Sequence, residues 1–341
     1  MKKLIAGLAF ASFAGITLAA QNVADVERHI AGAKAAAGTE HAGMVERLCP
    51  AVPAAPAAGA APAGRGRAGG AAGGGGGGRR GGGPPPPPAR ETWYAEPAKV
   101  FDNLYFVGMT EFTAWAIPTS DGIIVIDPVY DYSVEASVVE GLKKLGLDAA
   151  NIKYVLISHG HLDHAGGAKL LQERYGARLL MSAADWDLLE RQKPVWLPKR
   201  DMVVTDGQKL TLGDTTITMY LTPGHTDGTI STLIPVRDGA RRHLAFLWGG
   251  TLFNFGPDRA RFTAYAASAA RMRDLVAKEG ADVLLSNHTD YDGTKTKLPA
   301  LAKRAAGAPH PYVVGTDSVR RYLSVANECA QAAIAALPAA Q

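Results

Sequence analysis

The stretch that most constrains this chain is His159-Gly160-His161-Leu162-Asp163-His164, which holds three of its nine histidines. The residues before it, 153–158, are mostly apolar and β-favouring and predict a buried strand, whereas residues 165–175 predict a helix. The cluster then lies on a tight loop at the carboxyl end of a strand, where α/β sheets place their chemistry. Because imidazole and carboxylate suit zinc and similar ions, the stretch predicts a metal site.

Two distant histidines follow predicted strands in the same manner. His225 stands in the turn 222–226, directly after an alternating strand at 215–221, and its proline and glycine neighbours force the chain to turn. His288 ends the predicted strand 282–286. We expect both to complete the metal site. The remaining four histidines have polar or proline-rich surroundings and are interpreted as ordinary surface residues: His29, His41, His243 and His310.

The N-terminus has the pattern of a secretory signal. Residues 1–20 contain Lys2 and Lys3, an apolar stretch at 4–18 and small residues at the expected cleavage point. A membrane span needs about 20 apolar residues, so this run is short for one. We expect export to a bacterial periplasm or beyond, with no stable membrane insertion after cleavage; a retained N-terminal anchor is the alternative.

Composition divides the rest of the chain into three parts. Residues 21–49 have helical spacing with a break at Gly38, residues 50–92 form a Gly/Pro/Ala/Arg-rich tract expected to be a disordered linker, and residues 93–341 form the catalytic body. Arginine–glycine tracts bind RNA in some proteins, but export and a net charge of only +4 favour a solvated spacer. We expect a small-molecule substrate and no nucleic acid. Cys49 and Cys329 are the two cysteines, and spacing leaves open whether they pair.

The body predicts an α+β fold. Strands and helices occur in two successive groups, which indicates two mixed β-sheets flanked by helices in a four-layer αβ/βα sandwich. A proline-broken loop at 193–200 could cover a site. The predicted strands are 100–107, 113–118, 122–127, 153–158, 178–181, 202–204, 209–212, 215–221, 229–235, 243–248 and 282–286, and the predicted helices of the body are 134–145, 167–175, 183–190, 263–279, 297–305 and 318–337.

The histidine set, with Asp127 at the end of an earlier strand, resembles the metallo-β-lactamase superfamily, and its order resembles the third subclass of the class B β-lactamases. The resemblance implies two Zn²⁺ ions per chain. One would be held by His159, His161 and His225, and the other by Asp163, His164 and His288. Asp127 would orient the loop, or alternatively cap a turn. A zinc-bound hydroxide would then attack an amide or ester carbonyl, with Asp163 also orienting the nucleophile.

Two departures from the family patterns bear on the substrate. Lactonases, glyoxalase II-type thioesterases and sulfur dioxygenases carry a metal-bridging aspartate at a late strand end, where this chain has no carboxylate in residues 247–253. Third-subclass enzymes usually place a serine where Thr251 stands, so Thr251 is a candidate substrate contact; otherwise it is a strand residue satisfied by backbone. Three hypotheses follow: an exported zinc β-lactamase, a zinc hydrolase for a lactone, ester or thioester, and a non-catalytic zinc-binding protein.

Overall fold

The computed structural model describes residues 8–51 and 86–338, with side chains from residue 22 onward. Most of the expected linker, residues 52–85, lies outside the described residues. Within the described part, no helix is both long and apolar enough to cross a membrane.

Twelve strands form two sheets in the described residues. The first has the order β1-β2-β3-β4-β5-β6-β7, antiparallel from β1 to β4 and parallel from β4 to β7; the second has the order β12-β11-β10-β9-β8, antiparallel except for β11 with β12. The strands are β1 Ala98–Phe101, β2 Leu104–Phe106, β3 Trp115–Thr119, β4 Gly122–Ile126, β5 Ile152–Leu156, β6 Arg178–Ser182, β7 Met202–Val204, β8 Gln208–Leu212, β9 Thr215–Leu221, β10 Ile230–Asp238, β11 Arg241–Trp248 and β12 Val283–Ser286.

Helices cover both outer faces. The α-helices are α1 Leu8–Ala37, α2 Ala42–Leu48, α3 Glu140–Lys144, α4 Leu162–Ala165, α5 Ala168–Tyr175, α6 Ala183–Gln192, α7 Arg259–Glu279, α8 Thr289–Asp292, α9 Thr294–Ala302 and α10 Thr316–Ala336; a π-helical turn, Glu135–Val139, leads into α3, and 3₁₀ turns stand at Arg90–Thr92 and Ala149–Asn151.

Three apolar layers hold the sandwich together. One lies between the sheets, where Ile124 of β4 and Ile217 of β9 are fully buried. A second packs the first sheet against helices α3, α5 and α6, and a third packs the second sheet against α7 and α10. The four-layer αβ/βα fold is therefore confirmed. Because β4 and β12 are covered on both faces they consist of apolar residues almost throughout, whereas β9 alternates, as a strand with one half-exposed face does.

One expected strand was wrong in detail. Residues 100–107 were predicted as a single strand, but the chain turns at Asp102 and Asn103 and forms the hairpin β1–β2. The turn is fixed by the second sheet, because Asn103 Nδ2 donates to the Pro235 carbonyl oxygen (2.9 Å) and Asn103 Oδ1 accepts from the Arg237 amide (3.0 Å). A tertiary contact thus breaks an otherwise strand-like apolar run.

The N-terminal helices pack onto the body rather than standing apart. Helix α1 lies along α10 and ends at Ala37, before Gly38, whose φ is +55°. Met44, Val45 and Leu48 of α2 join the apolar layer of α7 and α10. Cys49 and Cys329 form a disulfide that ties the end of α2 to α10, which settles the question that spacing left open.

Candidate metal centre

The ligand-bearing segments meet at one edge of the sandwich. Strands β5, β9 and β12 each end two to four residues before a histidine of the predicted set. The loop after β5 carries His159 and His161 and then becomes α4, which carries Asp163 and His164. All six predicted ligands are thereby brought together.

The first triad consists of His159, His161 and His225. The Nε2 atom of His225 lies 3.0 Å from Nε2 of His159 and 3.0 Å from Nδ1 of His161. His159 and His225 are buried, while His161 is half-buried. The three nitrogens therefore converge on one point, close enough to share an ion.

The second triad consists of Asp163, His164 and His288. Oδ2 of Asp163 lies 3.1 Å from Nε2 of His164 and 3.8 Å from Nε2 of His288, and the two histidine nitrogens are 3.4 Å apart. The Asp163 side chain retains 20% of its exposure, so this triad opens toward solvent.

The hydrogen bonds on the far side of each ring test whether these residues fit a metal ion. His159 Nδ1 donates to the Gly249 carbonyl oxygen (2.8 Å) and His225 Nδ1 donates to the Leu252 carbonyl oxygen (2.6 Å). With the proton on Nδ1, a neutral imidazole presents a bare lone pair at Nε2. Two such lone pairs facing each other at 3.0 Å repel unless a cation lies between them, so the donor set fits a metal ion.

Burial and mutual repulsion hold most of the histidines neutral. Burial lowers the pKa of His159 and of His225 well below the usual value, and the neighbouring histidines lower both further. Burial likewise lowers the pKa of His161 to about 4 and that of His288 to about 3. Since a metal ligand must be deprotonated, all four rings are in the form that binds metal at neutral pH.

Asp163 and His164 behave as an ion pair. Burial alone would raise the pKa of Asp163, but His164 and the nearby histidines hold it well below its usual range. Burial alone would lower the pKa of His164, but the charges of Asp163 and Asp127 raise it to about 10. A cation held beside these two residues takes the electrostatic place of that proton.

Asp127 supports the second triad from a strained turn after β4. Its carboxylate accepts from the Ser158 amide (2.7 Å), the Ser158 hydroxyl (2.7 Å) and His164 Nδ1 (3.0 Å), and the residue is 1% exposed. Its φ is +57°, and Val129 follows at +50°. Such a backbone is uncommon for aspartate and a clear outlier for a β-branched residue, so surrounding contacts must hold it.

Glycine is required where this turn meets the ligand loop. A Cβ on Gly167 would lie 2.3 Å from the Pro128 carbonyl oxygen, and one on Gly166 would lie 2.7 Å from the Asp131 amide nitrogen. Both are well inside any normal contact, so only glycine lets α4 approach the turn this closely.

Comparisons with known proteins agree with this geometry. The family model of the metallo-beta-lactamase superfamily matches residues 113–239. A hydroxyacylglutathione hydrolase of Acidiphilium cryptum is 30% identical over 214 residues, covering 60% of this chain and 79% of the relative. The chain belongs to the metallo-β-lactamase superfamily. A second hydroxyacylglutathione hydrolase, from Mesorhizobium japonicum, is 30% identical over 49% of this chain and 61% of its own length.

The solved structures that are similar to this chain belong to a different branch of the superfamily from the two hydroxyacylglutathione hydrolases. BJP-1, a subclass B3 metallo-β-lactamase of Bradyrhizobium japonicum, superposes with a TM-score of 0.61 at 29% identity, over 68% of this chain and 90% of its own. A variant of the FEZ-1 metallo-β-lactamase of Legionella gormanii gives 0.61 at 25% identity, over 69% and 94%. The predicted resemblance to the third subclass is confirmed at the level of structure.

Thr251, the candidate substrate contact predicted from the sequence, lies buried in the core. It is 0% exposed, and its hydroxyl lies 3.3 Å from both the Ser286 and Tyr322 hydroxyls. Tyr322 of α10 packs near the end of β11, so the Thr251 hydroxyl finds its hydrogen-bond partners inside the core.

Two histidines interpreted as surface residues are also buried. His41 is 6% exposed and contacts the Ser318 carbonyl oxygen (3.1 Å), and His310 is 5% exposed and stacks on Phe101 at 4.1 Å. His29 and His243 are partly buried, and both contact a carboxylate. None of the four lies in the metal centre.

The loop 193–200 borders a cleft of about 310 Å³ against α5, and Val195 at its tip is 85% exposed. Aromatic residues flank the second triad: Phe112 lies 5.0 Å from His288 and 5.1 Å from Tyr130 between ring centres.

Sequence reasoning missed two buried polar residues beside the ligands. Asn287 Nδ2 donates to the Gly249 carbonyl oxygen (2.7 Å), the same atom that receives the His159 proton. Asp185 is 1% exposed, and burial raises its pKa to about 6 against the hydrogen bonds that lower it. The only sequence signal for Asp185 is the Ser182-x-x-Asp185 spacing at a helix start, which is typical of a cap.

Proposed function

We propose that this chain is an exported hydrolase with two zinc ions that cleaves the cyclic amide of β-lactams. The observation that carries the proposal is the donor set: two triads of three ligands each, with no carboxylate shared between them in the described residues. His159 of the first triad also lies close to Asp163 and His164 of the second. Three protein ligands per zinc is the number found in catalytic sites, whereas structural zinc is normally closed by four.

The end of β11 supports this choice over a thioesterase. The metal-bridging aspartate of glyoxalase II-type enzymes belongs at such a strand end, and here Gly249 and Gly250 follow the strand. A Cβ on Gly250 would lie 2.6 Å from Cβ of His225. The ring of His225 thus fills the space that a larger residue would need, and a bridging acid has no room without moving a ligand.

Bound zinc would supply a Lewis acid for the carbonyl oxygen and lower the pKa of a coordinated water to about 7. The residues of the chain supply orientation. Asp163 is the one carboxylate of the two triads; it is ionised and reaches the solvent-open face, so it accepts a hydrogen bond from an incoming water and aims it at the carbonyl carbon. His164 is held by Asp127 and therefore keeps Asp163 in place.

An aromatic wall beside the second triad favours a substrate with an apolar face. We name as this wall Phe112, Tyr130 and Tyr132; the two tyrosine rings stack with centres 5.0 Å apart. Burial, with the charges of Asp163 and Tyr132 adding, raises the pKa of Tyr130, so its hydroxyl stays protonated and can donate to a substrate oxygen. A small rigid bicyclic amide would fit against such a wall better than a long flexible thioester.

A second candidate is thioester or ester hydrolysis, since the two sequence relatives described above are named hydroxyacylglutathione hydrolases. The structures that align over most of their length are β-lactamases, and the site lacks the bridging carboxylate. We therefore rank hydrolysis of a cyclic amide above hydrolysis of a thioester or ester.

Export is part of the proposal. The Cys49–Cys329 disulfide is of the kind that persists in oxidising compartments, which supports a periplasmic or secreted location. The described apolar face of α1 starts at Val26, beyond the expected cleavage point. Removal of residues 1–20 would therefore leave the packed part of that helix intact.

Turnover and metal content, measured together, test the function. Purified protein with its zinc quantified is assayed on penicillins, cephalosporins and carbapenems, and in parallel on a glutathione thioester and acyl-homoserine lactones. We expect about two zinc ions per chain, turnover of the β-lactams, and a large loss in Asp163→Asn. Turnover confined to the thioester would favour the second candidate, and two bound zinc ions with no turnover would favour a binding protein.

A further inference from the structure

Asp185 lies at the start of α6, where its backbone amide takes part in the helix cap and its side chain bonds residues outside the helix. Ser182 caps the helix, and its hydroxyl accepts from the Asp185 amide (3.2 Å). In a capping box the acid at this position would reach back to the amide of the capping residue. The Asp185 carboxylate instead points away from its helix and into the metal centre's supporting loops.

One oxygen of this carboxylate joins the two loops that carry the first triad. Oδ2 accepts from the Gly160 amide (2.9 Å) and from the Thr226 hydroxyl (2.8 Å). Gly160 lies between His159 and His161, and Thr226 directly follows His225. Each of the three ligands of the first triad is therefore adjacent in sequence to Gly160 or Thr226, which both donate a hydrogen bond to Asp185 Oδ2.

The start of α6 and the turn at 226–229 are in close contact. A Cβ on Gly228 would lie 1.9 Å from the Ser182 hydroxyl oxygen and 2.8 Å from Cγ of Asp185. Thr226 is further held by a 2.9 Å hydroxyl contact with Thr229. The start of α6 is thus pressed against the turn at 226–229, and Asp185 is 1% exposed.

Burying a carboxylate is costly unless hydrogen bonds compensate it, and a buried carboxylate is seldom the most stable choice for a core position. The other carboxylate oxygen, Oδ1, has no hydrogen-bond partner among the described residues. A residue kept only to cap α6 would not need to leave the helix and accept this cost. The geometry calls for a role in the centre itself.

We propose that Asp185 is a positioning residue that sets the distance between the His159–His161 loop and the His225 turn, and so the affinity and geometry of the first metal site. The inference rests on the metal centre proposed above. A shared acceptor fixes both loops to a common point, whereas two separate acceptors would let them move independently. Metal donors must be held within about 0.5 Å of the productive geometry, which is the scale that one hydrogen-bonded atom can impose.

The test measures metal binding in the first site alone. Asp185→Ala and Thr226→Val are made in the full chain, together with Asp187→Ala as the matched control, because Asp187 lies on the same helix with its side chain 51% exposed. Each is also placed in an Asp163→Asn background, which removes a ligand of the second triad and leaves the first intact. Zn²⁺ affinity is measured by competition with a chromophoric chelator, and coordination by the visible spectrum of the Co²⁺-loaded protein.

We expect Asp185→Ala, which removes the shared acceptor, to weaken Zn²⁺ binding in the first site by about 10–100-fold, the range found when a group that orients ligands is lost, and to change the Co²⁺ bands. Asp187→Ala should match the parent protein. Thr226→Val keeps the bond to Gly160 and should produce a smaller loss at the same site. It also carries the test if Asp185→Ala does not fold, which denaturant unfolding will reveal.

Unchanged Zn²⁺ affinity and Co²⁺ bands in Asp185→Ala, with or without a loss of stability, would leave Asp185 with a structural role only and overturn the inference. Unchanged affinity in Thr226→Val, where Asp185→Ala fails to fold, would do the same. If the parent protein itself binds no Zn²⁺ stoichiometrically, the proposed function fails first, and that result is read from the parent alone.

Discussion

Replacing Asp127 by asparagine changes one atom at the residue that supports the second triad. The carboxylate accepts from the Ser158 amide, the Ser158 hydroxyl and His164 Nδ1 at 2.7, 2.7 and 3.0 Å. An amide side chain has one oxygen and turns an NH₂ toward the other donors. The shape and the tolerance of the positive φ are kept, so the change isolates the loss of acceptors.

The expected effect follows from the number of donors left unpaired. With its one oxygen on the Ser158 amide, asparagine leaves the His164 Nδ1 proton buried without a partner, at a cost of about 1–3 kcal/mol in the free energy of unfolding. Losing the acceptor that orients a metal-bound histidine weakens metal binding by about 10–100-fold. Asp127→Ala leaves the Ser158 amide and the His164 Nδ1 proton without an acceptor, whereas the Ser158 hydroxyl can rotate to another partner. With about 1–2 kcal/mol of backbone strain added, we expect about 3–8 kcal/mol in total.

Urea unfolding of the variants, with zinc chelated and with zinc added, measures both effects. Asp131→Asn, an exposed residue four positions along, serves as the control and should match the parent. If Asp127→Asn loses stability but binds its second zinc with parental affinity, Asp127 only caps the turn after β4. If it loses neither, the orientation argument for His164 is refuted.

Three further perturbations test other parts of the structure. Burial raises the pKa of Asp292 to about 6 from 3.8, so its contribution to folding is full well below pH 4 and is lost as pH rises through about 6. The unfolding free energy of the parent minus that of Asp292→Asn should fall by about 2 kcal/mol between pH 4 and 7, and a flat difference would show that Asp292 titrates normally. Replacing Cys49 and Cys329 by serine should lower the free energy of unfolding, measured with denaturant, by about 2–5 kcal/mol and leave the zinc content unchanged. An unchanged denaturant midpoint would mean that helix packing alone holds the N-terminal helices on the body. A methyl on Gly249 would lie 1.8 Å from a carbonyl oxygen of β10, so Gly249→Ala should lose at least 1–3 kcal/mol of unfolding free energy together with zinc affinity. A methyl on Gly43 meets nothing within 4 Å, so Gly43→Ala should match the parent in both quantities. Equal behaviour of the two variants would contradict the steric argument.

The candidate metal ligands could be predicted because each is marked by its local sequence. His159, His161, Asp163 and His164 fall in six consecutive positions, and His225 and His288 each follow an apolar strand. The carboxyl ends of strands in a layered fold meet at one edge, so strand-end position substitutes for knowledge of the contacts. The layered architecture followed in the same way from the order and periodicity of the strands and helices.

What the sequence alone determined is therefore the fold class, the candidate ligands and the absence of a bridging acid after β11. Only the tertiary structure decided that Thr251 is buried against α10, that His41 and His310 lie in the core, and that Cys49 meets Cys329. The same holds for Asp185, whose spacing from Ser182 indicates a cap while its carboxylate joins two distant loops. The physical reason is that ligand type and strand position are local properties, whereas burial and hydrogen-bond partners depend on which residues, far apart in the chain, come into contact.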